Sequence, residues 1–118
     1  MEFFEVLAKR YCHKVAFDPQ RAIPEADLKT IVRAGMAAPS AGNGQSPEFI
    51  LVNDEALCRR IGEISGNVPL QTAPAMIAVL SQPHARQACD LLSECLIADF
   101  PVATRYMLMA ATALGYCC

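Results

Sequence analysis

A chain of 118 residues, 53% apolar and 19% charged, is long enough for one domain with a modest core and too hydrophobic to be disordered. Its formal charge of −2 gives no electrostatic reason to expect nucleic acid or an acidic membrane as partner. No uncharged apolar stretch reaches the roughly 18 residues of a membrane span. The acidic start Met1-Glu2-Phe3-Phe4-Glu5 is unlike a secretory leader, so a cytoplasmic protein is expected.

Phe3, Val6 and Leu7 stand at helical spacing, which predicts a first helix over residues 3–9. A basic cluster follows, Lys9-Arg10-Tyr11-Cys12-His13-Lys14. Pro24 suits a first helical turn, and Glu25 and Asp27 suit the positive end of the helix dipole. Leu28, Ile31, Val32 and Met36 then share one face, so a second helix is predicted over 24–37, stopping before Pro39. Phe49-Ile50-Leu51-Val52, bounded by Pro47 and Asn53-Asp54, reads as a strand. Asp54 can cap a helix bearing Leu57, Ile61 and Ile64 and closed by Gly66-Asn67.

Residues 75–80, after Pro74, read as a second, buried strand. From Arg86 onward the pattern is helical, with Leu91, Leu92, Cys95 and Leu96 on one side. Pro101 should kink that helix or begin a new one. Val102 to Leu114 is apolar nearly all round and ends at Gly115; such a helix is buried in something, and a second subunit is a natural candidate. Two strands separated by a helix suggest a parallel crossover in an α+β or α/β sandwich with a small sheet. Two short strands make a poor sheet alone, so a partner supplies more or part of the domain lies outside the chain.

The six cysteines, Cys12, Cys58, Cys89, Cys95, Cys117 and Cys118, form no C-x-x-C pair. That gives little support to a zinc or iron–sulfur site and favours reduced thiols, so no metal is expected. Two segments can carry chemistry. Arg10 and Lys14 flank Cys12 just past a helix end and could converge on a dianion, Arg as a planar fork and Lys as a point charge. A solvated helix end explains them equally, and His13 fits a surface histidine. Between Pro39 and Pro47 lie only small and amide residues. Ser40, Asn43 and Gln45 offer directed donors and acceptors, and an ordinary turn-rich loop explains the same composition.

Taken together, the segments resemble the nitroreductase-like FMN-dependent oxidoreductases. Arg10-Tyr11-Cys12-His13-Lys14 is similar to that family's R-x-S-x-R/K segment, and Ala38 to Phe49 to its A-P-S-x-x-N-x-Q-P-W-x-F segment. Ala73-Pro74 before the second strand and Asp99 through Gly115 follow in the family's order. Cys12 stands for the usual serine, Ser46-Pro47-Glu48 replaces Q-P-W-x, and Tyr106 stands where many members carry Asn.

The resemblance implies an α+β nitroreductase-like sandwich, residues 1–118 as a single domain, with the family's C-terminal third missing. It implies FMN as cofactor and NAD(P)H as electron donor, reducing nitroaromatic, quinone-like or related electron-poor acceptors by a ping-pong mechanism. Arg10 and Cys12 would lie on the phosphate and ribityl side and Lys14 beside the N1–O2 edge of the ring, with Tyr11 also among the cofactor-binding residues. Pro39, Ser40, Asn43 and Gln45 would come from the second subunit of a homodimer, and Asn67 is a further candidate for the flavin edge. The cofactor does the redox chemistry, so no protein residue is expected as nucleophile or general base. Two other outcomes stay open: a flavin-binding or dimer-scaffold fragment without turnover, and an inactive truncated product.

Overall fold

The computed structural model describes residues 1–18, 20–81 and 90–118, and for residues 90–96 the backbone alone. In chain order the elements are α1 (Phe3–Lys9), α2 (Glu25–Met36), a short 3-10 turn (Ala41–Asn43), β1 (Pro47–Val52), α3 (Glu55–Ser65), α4 (Val68–Thr72), β2 (Met76–Ser81) and α5 (Asp90–Ala113). The predicted onset of the last helix at Arg86 lies outside the described residues, as do the side chains of Leu91, Leu92, Cys95 and Leu96. Pro101 starts no new element. It sits inside α5, which continues through it although proline removes one helical N–H.

Local signals act as expected along α2 and α3. Pro24 occupies the N-cap of α2, and Glu25 pairs with Lys29 one turn on at 2.6 Å. The Asp54 carboxylate accepts from the Leu57 N–H at 2.8 Å and so caps α3. Gly66, at φ 66°, takes the left-handed position that closes α3.

The two strands pair antiparallel, from Pro47 opposite Ser81 to Val52 opposite Met76, and not in the parallel sense that the sequence suggests. The reason lies in the connection. A parallel return needs one helical pass, which carries the chain back to the far end of the first strand. Here there are two, α3 and α4, so the chain re-enters the sheet at the end it left. Gly62 makes this helical hairpin possible. A Cβ at that position would stand 2.4 Å from the Cα of Gln71 in α4, so only glycine lets the two backbones approach.

The core sits between the sheet, α2 and α5. Ile31 of α2 and Met107 and Ala111 of α5 are buried together, with Phe49, Ile77, Val79 and Tyr116 packed around them. Burial of a side chain such as Ile31 or Met107 contributes about 1.5–3 kcal/mol. The opposite side of this layer is far less covered. Phe3, Phe4 and Leu7 of α1 and Ile97 and Phe100 of α5 are all exposed, and α1 packs against α5. Among the described residues, no helix is long and apolar enough to cross a membrane.

Candidate functional site

Helix α5 holds both segments singled out by the sequence, one near Asp99 and one beyond its C-terminal end. At the C-terminal end, α1 stops at Lys9, whose ammonium is engaged by Glu5 at 2.6 Å. Arg10 leaves the helix in an extended conformation, and the chain runs on to Phe17. Three contacts pin this run. The His13 N–H donates to the carbonyl of Cys118 at 2.7 Å, and the His13 ring stacks on Phe17 at 4.3 Å between centroids. The Phe17 N–H donates to Thr72 Oγ1 of α4 at 2.8 Å.

The tail that receives His13 is itself folded back. Gly115 at φ 88° turns it out of α5, and the Tyr116 hydroxyl donates to Asp27 of α2 at 2.6 Å. Tyr11 is exposed, and the Cys117 thiol hydrogen-bonded to it pushes its phenol above the ordinary range.

This arrangement borders a cavity of about 850 Å³. Cys12, His13 and Lys14 form one wall, α4 and the preceding Gly66-Asn67 another, and Ile31, Ile77 and Met107 belong to its apolar side. Among the described residues the ion pairs are those of Lys9, Lys29 and Arg59, so Arg10 and Lys14 face no carboxylate. Asn67 borders the cavity, with its side-chain oxygen accepting from the Leu70 N–H at 3.4 Å as the cap of α4. His13, half-buried and stacked, is less of a surface group than its sequence position suggests.

The amide loop sits elsewhere. Pro39, Ser40, Asn43 and Gln45 do not line the cavity. Asp99, buried in α5, grips this loop: one carboxylate oxygen accepts from the Ala41 N–H at 2.9 Å, the other from the Ser46 hydroxyl at 2.8 Å. Ser40 Oγ accepts from the Gln45 N–H at 2.8 Å and closes the turn. Gly42, Asn43 and Gln45 all adopt positive φ, at 57°, 54° and 51°. For glycine this is unstrained, but for Asn43 and above all Gln45 it is a sparsely populated conformation, held by the Asp99 and Ser40 bonds. Both residues are exposed, and among the described residues their side-chain amides make no internal hydrogen bond.

From Asp99 to Ala113 the helix rises about 21 Å. The run from Arg10 to Lys14 lies against the tail beyond α5, with Cys12 and Lys14 lining the cavity and Arg10 and Tyr11 outside its lining, and Pro39, Ser40, Asn43 and Gln45 lie in the loop held by Asp99, also outside that lining. Sequence reasoning saw Asp99 only as part of a family pattern and gave it no role; its loop partners lie 53 and 58 positions away. Tyr116 with Asp27 was likewise invisible, separated by 89 positions. Among the described residues, no cluster of His, Cys, Asp and Glu could hold a metal ion.

The elements make an α+β scaffold, and comparison with known proteins gives it a family. Residues 7–102 match the model of the Nitroreductase family, and the chain belongs to it. A curated protein of Archaeoglobus fulgidus, provisionally assigned as an NADH dehydrogenase/NAD(P)H nitroreductase, is 34% identical over 97 residues. That match covers 80% of this chain and 53% of the relative. A nitroreductase family protein from Clostridium novyi NT superposes with a TM-score of 0.81 at 27% identity, over 98% of this chain and 66% of its own. An FMN-dependent nitroreductase from Clostridium difficile R20291 shares the fold at a TM-score of 0.77 and 24% identity, over 95% of this chain and 61% of its own. The chain thus spans about half the length of the curated relative and under two thirds to about two thirds of the solved ones.

Proposed function

We propose that this chain forms an FMN-binding homodimer that oxidises NAD(P)H and reduces electron-poor acceptors such as nitroaromatics and quinones. One observation carries the reading: Lys14 lies on the wall of a largely apolar cavity, and among the described residues neither Lys14 nor Arg10, four positions before it and outside the cavity lining, forms an ion pair. An apolar cavity suits an aromatic ring system, and free cations at its edge suit a phosphate dianion and a reduced, anionic ring. The residues present therefore fit FMN. The provisional assignment of the A. fulgidus relative adds support for NAD(P)H.

In this reading Arg10 grips the phosphate, with the Tyr11 hydroxyl and the Cys12 thiol beside it. Cys12 is a weaker donor than the serine it replaces, which leaves more of the grip to Arg10. Lys14 places a positive charge against the pyrimidine edge of the ring. FMN held by these residues would supply reversible hydride chemistry between NAD(P)H and the acceptor, consistent with a ping-pong order. The half-buried apolar walls exclude water from that exchange.

The amide loop belongs to the same site only across a dimer. Because the loop does not line the cavity of its own chain, a two-fold axis that sets the α5 helices antiparallel would bring one subunit's loop to the other's basic segment. Pro39, Ser40, Asn43 and Gln45 then complete the site, with the free amides of Asn43 and Gln45 aimed at the ring edge. The exposed Phe3, Phe4, Ile97 and Phe100 supply an apolar surface for that contact. The proposed location is the cytoplasm.

The test is reconstitution. Purified chain incubated with FMN and desalted should retain flavin, and should oxidise NAD(P)H with a quinone or nitroaromatic acceptor in parallel-line kinetics. Loss of all flavin on desalting contradicts the proposal. Retained flavin without NAD(P)H oxidation marks the chain as a binding module; its coverage of only 53% of the curated relative favours keeping that second reading.

A further inference from the structure

Three of the four described cysteines gather at one place. Cys12, Cys117 and Cys118 all line the cavity and all are free, whereas Cys58 is buried against the carbonyl of Val52. Nothing in the proposed flavin chemistry uses Cys117 or Cys118. The backbone brings Cys12 and Cys118 together directly. The His13 N–H meets the Cys118 carbonyl at 2.7 Å. Each cysteine Cα lies about 2.4 Å from its end of that bond, so the two Cα atoms are at most about 7.5 Å apart. Disulfides span Cα separations of about 4.4–6.8 Å, within reach of that bound.

We propose that Cys12 and Cys118 form a dithiol modification site, closed by hydroperoxides into a disulfide that ties the basic segment to the tail. Cys12 is the better partner for Cys118 than its neighbour Cys117. Adjacent residues hold their Cα atoms about 3.8 Å apart, below the disulfide range, and a bond between them is strained. Cys117 is engaged by the Tyr11 phenol. The tail is already held for the reaction by Gly115 at φ 88° and by the Tyr116–Asp27 hydrogen bond at 2.6 Å.

In the step, the S–H bonds of Cys12 and Cys118 break and one S–S bond forms. The two electrons and two protons pass to the hydroperoxide, whose O–O bond breaks to give water and an alcohol, or two waters from hydrogen peroxide. Burial and the Cys117 and Cys12 thiols push the Cys118 thiol up, and Arg10 pulls the other way. Cys12 and Cys118 are both exposed, so a hydroperoxide can reach either one and the other resolves the sulfenic acid. The site needs only these two thiols and stands whether or not flavin binds.

Peptide mapping tests it. The full chain is treated with hydrogen peroxide at neutral pH, its remaining thiols are alkylated, and trypsin is added without reductant. The expected product joins the peptide Tyr11–Lys14 to the peptide Tyr106–Cys118 within one chain, with loss of two hydrogens. The link should persist in Cys117→Ser and vanish in Cys118→Ser. Recovery of Tyr11–Lys14 fully alkylated, a link between two chains, or a link that survives Cys118→Ser would each overturn the proposal. Where a variant does not fold, fragmentation of the linked wild-type peptide decides the matter: an alkyl group on Cys117 supports the proposal and one on Cys118 overturns it.

Discussion

The two regions anchored by α5 are held by different means. Near Asp99 a buried carboxylate takes two donors from a strained loop. Beyond Ala113 a backbone bond and a half-buried tyrosine–carboxylate bond hold a run with little regular structure. A buried acceptor is costly to leave unmet, whereas the tail's contacts compete with water. The loop is thus rigidly held and the basic segment more lightly, which suits the roles proposed for them, aiming amides and admitting a charged ligand.

Breaking the rigid side should cost most. Asp99→Ala removes two hydrogen bonds from a buried site and is expected to destabilise the fold by about 2–4 kcal/mol, measured by urea denaturation. Ser46→Ala leaves one Asp99 oxygen unmet and should cost about 1–2 kcal/mol. Equal stability of Asp99→Ala and wild type would remove the tether from the account.

The lightly held side should show its effect in ligand binding instead. Arg10→Ala is expected to weaken FMN binding about ten-fold or more in a fluorescence titration, with little change in unfolding. Lys14→Ala should slow NAD(P)H-driven flavin reduction more than it lowers Tm. Unchanged reduction kinetics in stopped flow would take Lys14 out of the site.

The smallest effect lies in the tail. Tyr116→Phe should lower Tm by up to about 5 °C. The hydrogen bond to Asp27 raises the Tyr116 phenol above its ordinary value, with burial acting the same way. Because the folded-state value is the higher one, the stabilisation is complete below the ordinary tyrosine pKa and fades as pH rises through the raised value. The Tm difference between wild type and Tyr116→Phe should therefore shrink above about pH 10. A difference independent of pH would contradict the assigned cause.

Much of this was legible in the residues. The second helix was expected over 24–37 and runs Glu25–Met36, and both the Asp54 cap and the Gly66 close stand where the sequence put them. Strand pairing was misread because α4 has only five residues and includes Pro69, too short for a periodic signal. That one missed pass reversed the strand direction. The functional segments were visible as composition, basic in one case and amide-rich in the other. What held them was not, because Asp99 and the Cys118 carbonyl act across the chain and leave no local trace.

The central claim is that each flavin site draws its cations from one subunit and its amides from the other. Subunit mixing tests it most directly. One variant carries Arg10→Ala and Lys14→Ala, the other Asn43→Ala and Gln45→Ala, and each alone should bind FMN poorly. In the co-expressed heterodimer, one of the two sites pairs an unaltered basic segment with an unaltered loop, so tight FMN binding should return at half occupancy. No recovery on mixing would mean that each site is built within a single chain, and the shared-site account would fall.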